Sequence, residues 1–240
     1  HGPSSPAVAT ATPAAAVRAS AWRRVVGSRV TGAIIAATGD RSGRLCICHP
    51  AAVPRLRDIP TRAWIVFAII FVAGTGIRVY ETTKPVSRLS ADALSYSSIG
   101  RTLANTGSYP STVGKLHWPP ATPVMFAVAY KLTSGGTVAQ GDHDGPRWAQ
   151  FLVTTGTILA VFLLGWLLAG PWVGVIASAF IAFYPPLYWG PSNLLSEPLG
   201  AFMLTTTFVA LTAGWRSRKP WWFAIAGALF GGLLLTRTDL

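Results

Sequence analysis

The sequence predicts an all-α, polytopic membrane protein with about five transmembrane helices, and three observations lead there. The composition is 51% hydrophobic and only 12% charged, too apolar for an ordinary soluble domain of this length. The apolar residues gather into runs of about 18 or more, the length that crosses the hydrocarbon core as a helix. Most of the arginines lie in the N-terminal tail or beside those runs, where topology and lipid head groups account for them. The net charge of +12 therefore reads as membrane orientation. No basic stripe with interleaved aromatics points to nucleic acid.

Residues 1–58 are rich in Ala, Pro, Ser, Gly and Arg and carry no sustained periodicity, so a disordered tail is expected. The chain opens on His1, which is read as a fragment, a processed product or a mis-set start. The apolar patch at 30–37 is too short to span and too weak for a signal peptide. Cys46 and Cys48 are closer than a zinc-ligand pair and no second pair follows, so they are read as incidental thiols.

Arg55, Arg57 and Arg62 precede a first span over 63–80 and favour a cytoplasmic N-terminus. Residues 81–147 then form an outer loop. Within it, 90–105 has helical periodicity, with Asp92, Tyr96, Ile99 and Leu103 on one face. Ser90 is its expected N-cap and Gly107 its stop. Residues 120–132 are apolar but too short to cross, which suits a re-entrant or interfacial helix. Residues 135–145 form a turn-rich connector.

Further spans are expected over 148–169, 172–189, 197–215 and 221–235. Gly170-Pro171 makes a tight inner turn, and Pro185-Pro186 ends or kinks the third span. Arg216, Arg218 and Lys219 form a basic inner loop. This topology places Asp92, His117, Glu197 and Arg237 on one side of the membrane, the extracytoplasmic side.

Acids are scarce enough to name in full: Asp40, Asp58, Glu81, Asp92, Asp142, Asp144, Glu197 and Asp239. Asp92 and Glu197 are the candidate catalytic carboxylates. An acid beside an apolar run is expensive unless partnered and marks a site by default. Each also has a plainer role as a first-turn acid favoured by the helix dipole. Asp142, His143 and Asp144 have the residue types of a metal cluster, but Gly141 and Gly145 flank them, and the run is read as a solvated loop.

The order of short motifs along 60–240 resembles the polytopic glycosyltransferases of the GT-C fold, within them the protein mannosyltransferase and lipid A aminoarabinose transferase group. An Asp-x-x-x-Tyr helix opens the first outer loop (Asp92, Tyr96), followed by a Gly-x-Tyr turn (Gly107, Tyr109). Pro119-Pro120 opens an apolar segment, and Arg147 and Gln150 lead into the next span. Tyr184 to Pro186 end a span, Ser196-Glu197 head another, and Gly227, Gly231, Leu233, Thr236 and Arg237 close the series.

The resemblance implies a sugar donor on a polyprenyl phosphate, a protein, lipid or polysaccharide acceptor, and a cell-membrane enzyme working on its outer face. It implies that Asp92 serves the acceptor or a metal, that Glu197 is the acid of the second outer loop, and that Arg237 meets lipid phosphate. His117-Trp118 depart from the acid and lysine that some relatives carry there, which leaves a divalent metal open and no metal ligands assigned. Relatives run further, so the chain is expected to be the front part of such an enzyme and to be inactive alone.

The chemistry needs a base for the acceptor hydroxyl and positive charge for the departing phosphate. Asp92 fits the first. Arg237, His117 and Lys115 are candidates for the second, although snorkelling, interfacial packing and a solvated loop are their plainer roles. Tyr96 is a further candidate substrate contact, with packing as its plainer role. Two other classes stay open. A multi-pass transporter would show broken spans at mid-membrane and internal repeats, and a non-catalytic scaffold would need no convergence of rare charges.

Overall fold

The computed structural model describes residues 59–85, 89–110 and 118–236, and the regular structure among them is entirely helical. The expected tail over 1–58, with Cys46 and Cys48, lies outside the described residues. In chain order the helices are α1 (Thr61–Thr83), α2 (Ala91–Thr106), α3 (Ala121–Ser134) and α4 (Asp144–Ala169). There follow α5 (Pro171–Ala182), the single turns α6 (Pro185–Tyr188) and α7 (Gly190–Asn193), α8 (Glu197–Ser217) and α9 (Pro220–Leu234).

Helices α1, α4 and α8, of 23, 26 and 21 residues, are long and apolar enough to cross a membrane. At 1.5 Å per residue they reach about 31–39 Å, against about 30 Å of hydrocarbon. The expected spans over 172–189 and 221–235 take a shorter form: α5 has 12 residues and α9 has 15. The cause at α5 is local. Its ladder ends at Phe183, and Pro185 and Pro186 have no N–H with which to continue it. Pro185 instead opens the next turn.

Helix α4 is the hub and packs on α1, α3, α5, α7 and α8. Gly170 alone connects α4 to α5, at φ 102°, a conformation that side chains oppose. The two helices then run back along each other in close contact. A Cβ on Gly174 would lie 2.5 Å from the Phe162 carbonyl oxygen, and one on Gly165 would lie 2.7 Å from Gly174 Cα. Small residues at such crossings matter in lipid, where tails are as apolar as leucine and close packing drives association.

The bundle core joins Ala63 and Phe67 of α1, Ile158, Phe162 and Trp166 of α4, Val175 and Ala182 of α5, and Ala213 of α8. Phe67 stacks on Phe162 with ring centroids 4.0 Å apart. Large apolar side chains also point outward, among them Ile65, Ile69, Val72, Phe180 and Leu204. Exposed tryptophans sit at helix ends: Trp148 and Trp189 at one end of the bundle, Trp172, Trp215 and Trp221 at the other. That distribution is the one expected of helices that cross a membrane.

A second, smaller core lies at the end of the bundle where α1 finishes and α4 and α8 begin. There α2 packs on α3, and Ala93, Tyr96, Phe126, Tyr130, Val138 and Leu194 bury one another. Gly100 sets the spacing, since a Cβ there would lie 2.8 Å from Phe126 Cβ.

Candidate active site

The helix expected over 90–105 forms as α2. The Ser90 hydroxyl accepts from Ala93 N at 3.2 Å, and Gly107 closes α2 at φ 72° with its N–H on the Leu103 carbonyl. Asp92 sits in the first turn, where an acid meets the positive end of the helix. One expectation needs correction. The buried face of α2 is Ala93, Tyr96, Ser97, Ile99 and Gly100, and Asp92 is exposed beside it. Among the described residues its carboxylate has no hydrogen bond or ion pair. Chemically it is an accessible carboxylate at a helix start, open to a ligand's hydroxyl.

Tyr96 lies 6% exposed, and its ring meets Trp118 edge-on at 5.0 Å. The Tyr109 hydroxyl donates to the Trp118 carbonyl at 3.0 Å. Trp118 is thus held by α2 through Tyr96 and by the segment after α2 through Tyr109, and Pro119 and Pro120 follow it. Ala121 N donates to the Leu235 carbonyl at 2.9 Å, which ties the Pro-Pro element to the end of α9. Lys115, His117 and Arg237 lie outside the described residues, but their chain neighbours Trp118 and Thr236 bracket this junction.

Glu197 opens α8 and is exposed, followed by Pro198 in the first turn. The segment before it is tightly fixed. Leu194 is fully buried in the small core although its φ is 51°, a left-handed conformation that costs a leucine about 1–3 kcal/mol and persists only where the surroundings impose it. Gln150 of α4 donates to the Leu195 carbonyl at 2.6 Å. Leu89 and Leu195 pack on the same core as Ala93 and Leu194. The starts of α2 and α8, which carry Asp92 and Glu197, are therefore held on one small core.

Three buried charges behind this face were not assigned a role by the sequence. Arg78 of α1 donates to the Ala182 carbonyl at 2.9 Å, the Ile181 carbonyl at 3.1 Å and the Gly74 carbonyl at 2.9 Å. It thereby caps carbonyls in the last turn of α5, of which Ile181 also accepts from Tyr184 N at 3.4 Å. Arg147 of α4 does the same for α1, donating to the Glu81 carbonyl at 2.8 Å and the Lys84 carbonyl at 2.6 Å. The Glu81 carboxylate is buried, bonded to Lys84 Nζ at 2.6 Å and to the Ser192 hydroxyl at 3.0 Å. The signal that could have marked two of them as unusual, though not their partners, is an Arg and a Glu at the end of an apolar run, Arg78 and Glu81.

The connector before α4 also departs from expectation. His143 is half-buried, with Nδ1 3.0 Å from the Ser97 hydroxyl, and so is not a side chain of a solvated loop. Burial pushes its imidazole below the usual value, and the neighbouring Arg101 adds to this. Among the described residues no group of three His, Cys, Asp or Glu converges as a metal site. Asp92 by itself offers too few ligands for a divalent ion.

No family model matches the chain, and neither a curated protein nor a solved structure gives a match.

Proposed function

We propose that the chain is the membrane portion of a glycosyltransferase that moves a sugar from a polyprenyl phosphate to an acceptor hydroxyl at the extracytoplasmic face of the cell membrane. One observation carries the reading. Segments far apart in sequence, the start of α2 with Asp92, the Trp118-Pro119-Pro120 element, the start of α8 with Glu197 and the end of α9, meet at one end of an apolar bundle. The GT-C-like character rests on the same order of motifs. In this reading the chain crosses the bilayer five times, with α5 and its short continuation α6 as the third crossing and α9 as the fifth. Arg55, Arg57 and Arg62, just before or at the start of the first crossing, keep the N-terminus cytoplasmic.

In the reaction, the acceptor oxygen attacks the anomeric carbon while its proton passes to the exposed Asp92 carboxylate. The bond from that carbon to the phosphate oxygen breaks, and the electron pair leaves with the polyprenyl phosphate. Arg237, with Lys115 and His117, meets the charge that develops on the phosphate. Glu197 orients acceptor hydroxyls from the opposite helix start. Tyr96 holds Trp118, and through it the Pro-Pro element, in register with the site. The described residues do not make up a metal site, and no step here uses one.

The test is sugar transfer from labelled polyprenyl-phosphate sugars by the full-length enzyme in its membrane, wild type against Asp92→Asn. Asparagine keeps the shape and removes the charge. Transfer is expected to fall at least about 100-fold, the scale of a lost general base, with insertion unchanged. Undiminished transfer would reduce Asp92 to a helix-start residue. Absence of transfer from every donor in the wild type would favour a transporter or scaffold.

A further inference from the structure

A second polar site lies on the far side of α2. Arg101 follows Asp92 by two and a half turns, which places it about 180° round the helix. Arg101 borders a cleft of about 390 Å³ whose walls include Ser97, Ser98, Gln140, Gly141 and His143. Among the described residues the Arg101 guanidinium has no hydrogen bond or ion pair, so a cation faces this space unpaired.

The hydrogen bonds behind the cleft fix the state of His143. The Tyr130 hydroxyl donates to the Asp142 carbonyl at 2.9 Å, and burial pushes its phenol up, so it keeps that proton. A phenol has one proton. In the 2.8 Å bond between Tyr130 and Ser97, Ser97 must therefore be the donor. Ser97 also has one proton, so in its 3.0 Å bond to His143 it accepts, and Nδ1 carries the hydrogen. The neutral imidazole, itself part of the cleft wall, is then left with an unprotonated Nε2. Protonation converts Nε2 into a second cationic donor beside Arg101.

The other charges around His143 are Asp142 in the connector and Asp144 and Arg147 at the start of α4. Asp142 Oδ1 accepts from Asp144 N at 3.0 Å, which directs that carboxylate to the backbone of the first turn.

We propose that this cleft binds a tetrahedral oxyanion of the sulfate or phosphate class between the Arg101 guanidinium and the His143 imidazole, and that binding takes up a proton at Nε2. The anion joins the guanidinium through paired N–H donors, the geometry arginine supplies to such groups. Its charge favours the imidazolium and offsets the burial and the Arg101 repulsion that keep the free site neutral. The ligand is a free anion or the phosphate of a lipid headgroup, two sources with one chemistry.

The experiment follows the His143 side-chain nitrogens by ¹⁵N NMR in wild-type protein reconstituted in nanodiscs, with His143→Gln to assign the signal. Sulfate is the probe because it does not titrate between pH 5 and 8. In phosphatidylcholine discs, sulfate is expected to raise the midpoint of the His143 titration and to bind about tenfold or more tightly at pH 5.5 than at pH 8. Arg101→Gln is expected to abolish the shift while leaving the signal of a folded chain. In a second arm, phosphatidylglycerol discs without sulfate replace the phosphatidylcholine discs. A shift in this arm alone assigns the site to a headgroup, and a shift with sulfate alone assigns it to a free anion. No shift in either arm, or a shift that survives Arg101→Gln, overturns the proposal.

Discussion

Replacing Arg147 by Met should destabilise the bundle, and the structure sets the size. The guanidinium makes hydrogen bonds to the Glu81 and Lys84 carbonyls across the α1–α4 contact. Bonds to a charged donor are worth about 1.5–3 kcal/mol each, so about 3–6 kcal/mol of gross interaction is at stake. Two effects reduce it. Arg147 Nε is buried without a partner, so methionine relieves about 1 kcal/mol of uncompensated burial. A chain unfolded in lipid also finds substitute partners for the carbonyls. The net expectation is a loss of about 2–4 kcal/mol. Reversible unfolding in mixed micelles with increasing dodecyl sulfate, followed by far-ultraviolet circular dichroism, measures it. Arg101→Met is the control: it removes the same charge where the described residues offer no hydrogen bond or ion pair, and should cost at most about 0.5 kcal/mol. Equal stability of the two variants would refute the assignment of Arg147 as the clamp on α1.

Gly174→Val should be worse tolerated than Gly227→Val. Its Cβ would meet the Phe162 carbonyl oxygen at 2.5 Å, whereas nothing lies within 4 Å of a Cβ at Gly227. Overpacking against backbone costs about 1–3 kcal/mol or more, and the same unfolding titration reads the difference. His143 predicts a pH dependence. Its folded value lies below the ordinary 6.5 because of burial and Arg101, so the unfolded chain binds more protons as the pH falls past 6.5. Stability should therefore drop from there through the lower folded value. Melting temperatures between pH 8 and pH 5 should show this drop in the wild type and a smaller one in His143→Gln.

The helices were legible where one local rule decided them. Ser90 and Gly107 bound α2 as a cap and a stop must, and the long apolar runs of α1, α4 and α8 became helices of spanning length. The break of α5 was readable from Pro185-Pro186, but the length that remained was not, because hydropathy windows average across a proline. The exposure of Asp92 was illegible for a different reason. Helical periodicity gives angular spacing but not which arc is buried, and Phe126 packing on Gly100 decided that arc. The roles of Arg78 and Arg147 depend on carbonyls about a hundred and about sixty residues away in sequence. No local pattern encodes such a pairing.

The placement of charge separates two kinds of residue here. Arg78 and Arg147 both sit inside the protein at the carbonyl end of a neighbouring helix. A cation there gains from the helix dipole and satisfies groups that lipid cannot. Their charge is consumed by the fold. Asp92 and Glu197 occupy the opposite kind of helix end, the N–H end, and both are exposed. An acid is favoured at that end of a helix by the dipole, and there it stays at the surface. Arginines turned inward therefore fix the helix ends in place, and those same ends carry the acids outward on a shared core. If Arg147→Met loosens α1 as argued, the entry of the chain into α2 loosens with it. Sugar transfer should then fall together with stability, whereas Asp92→Asn should reduce transfer alone.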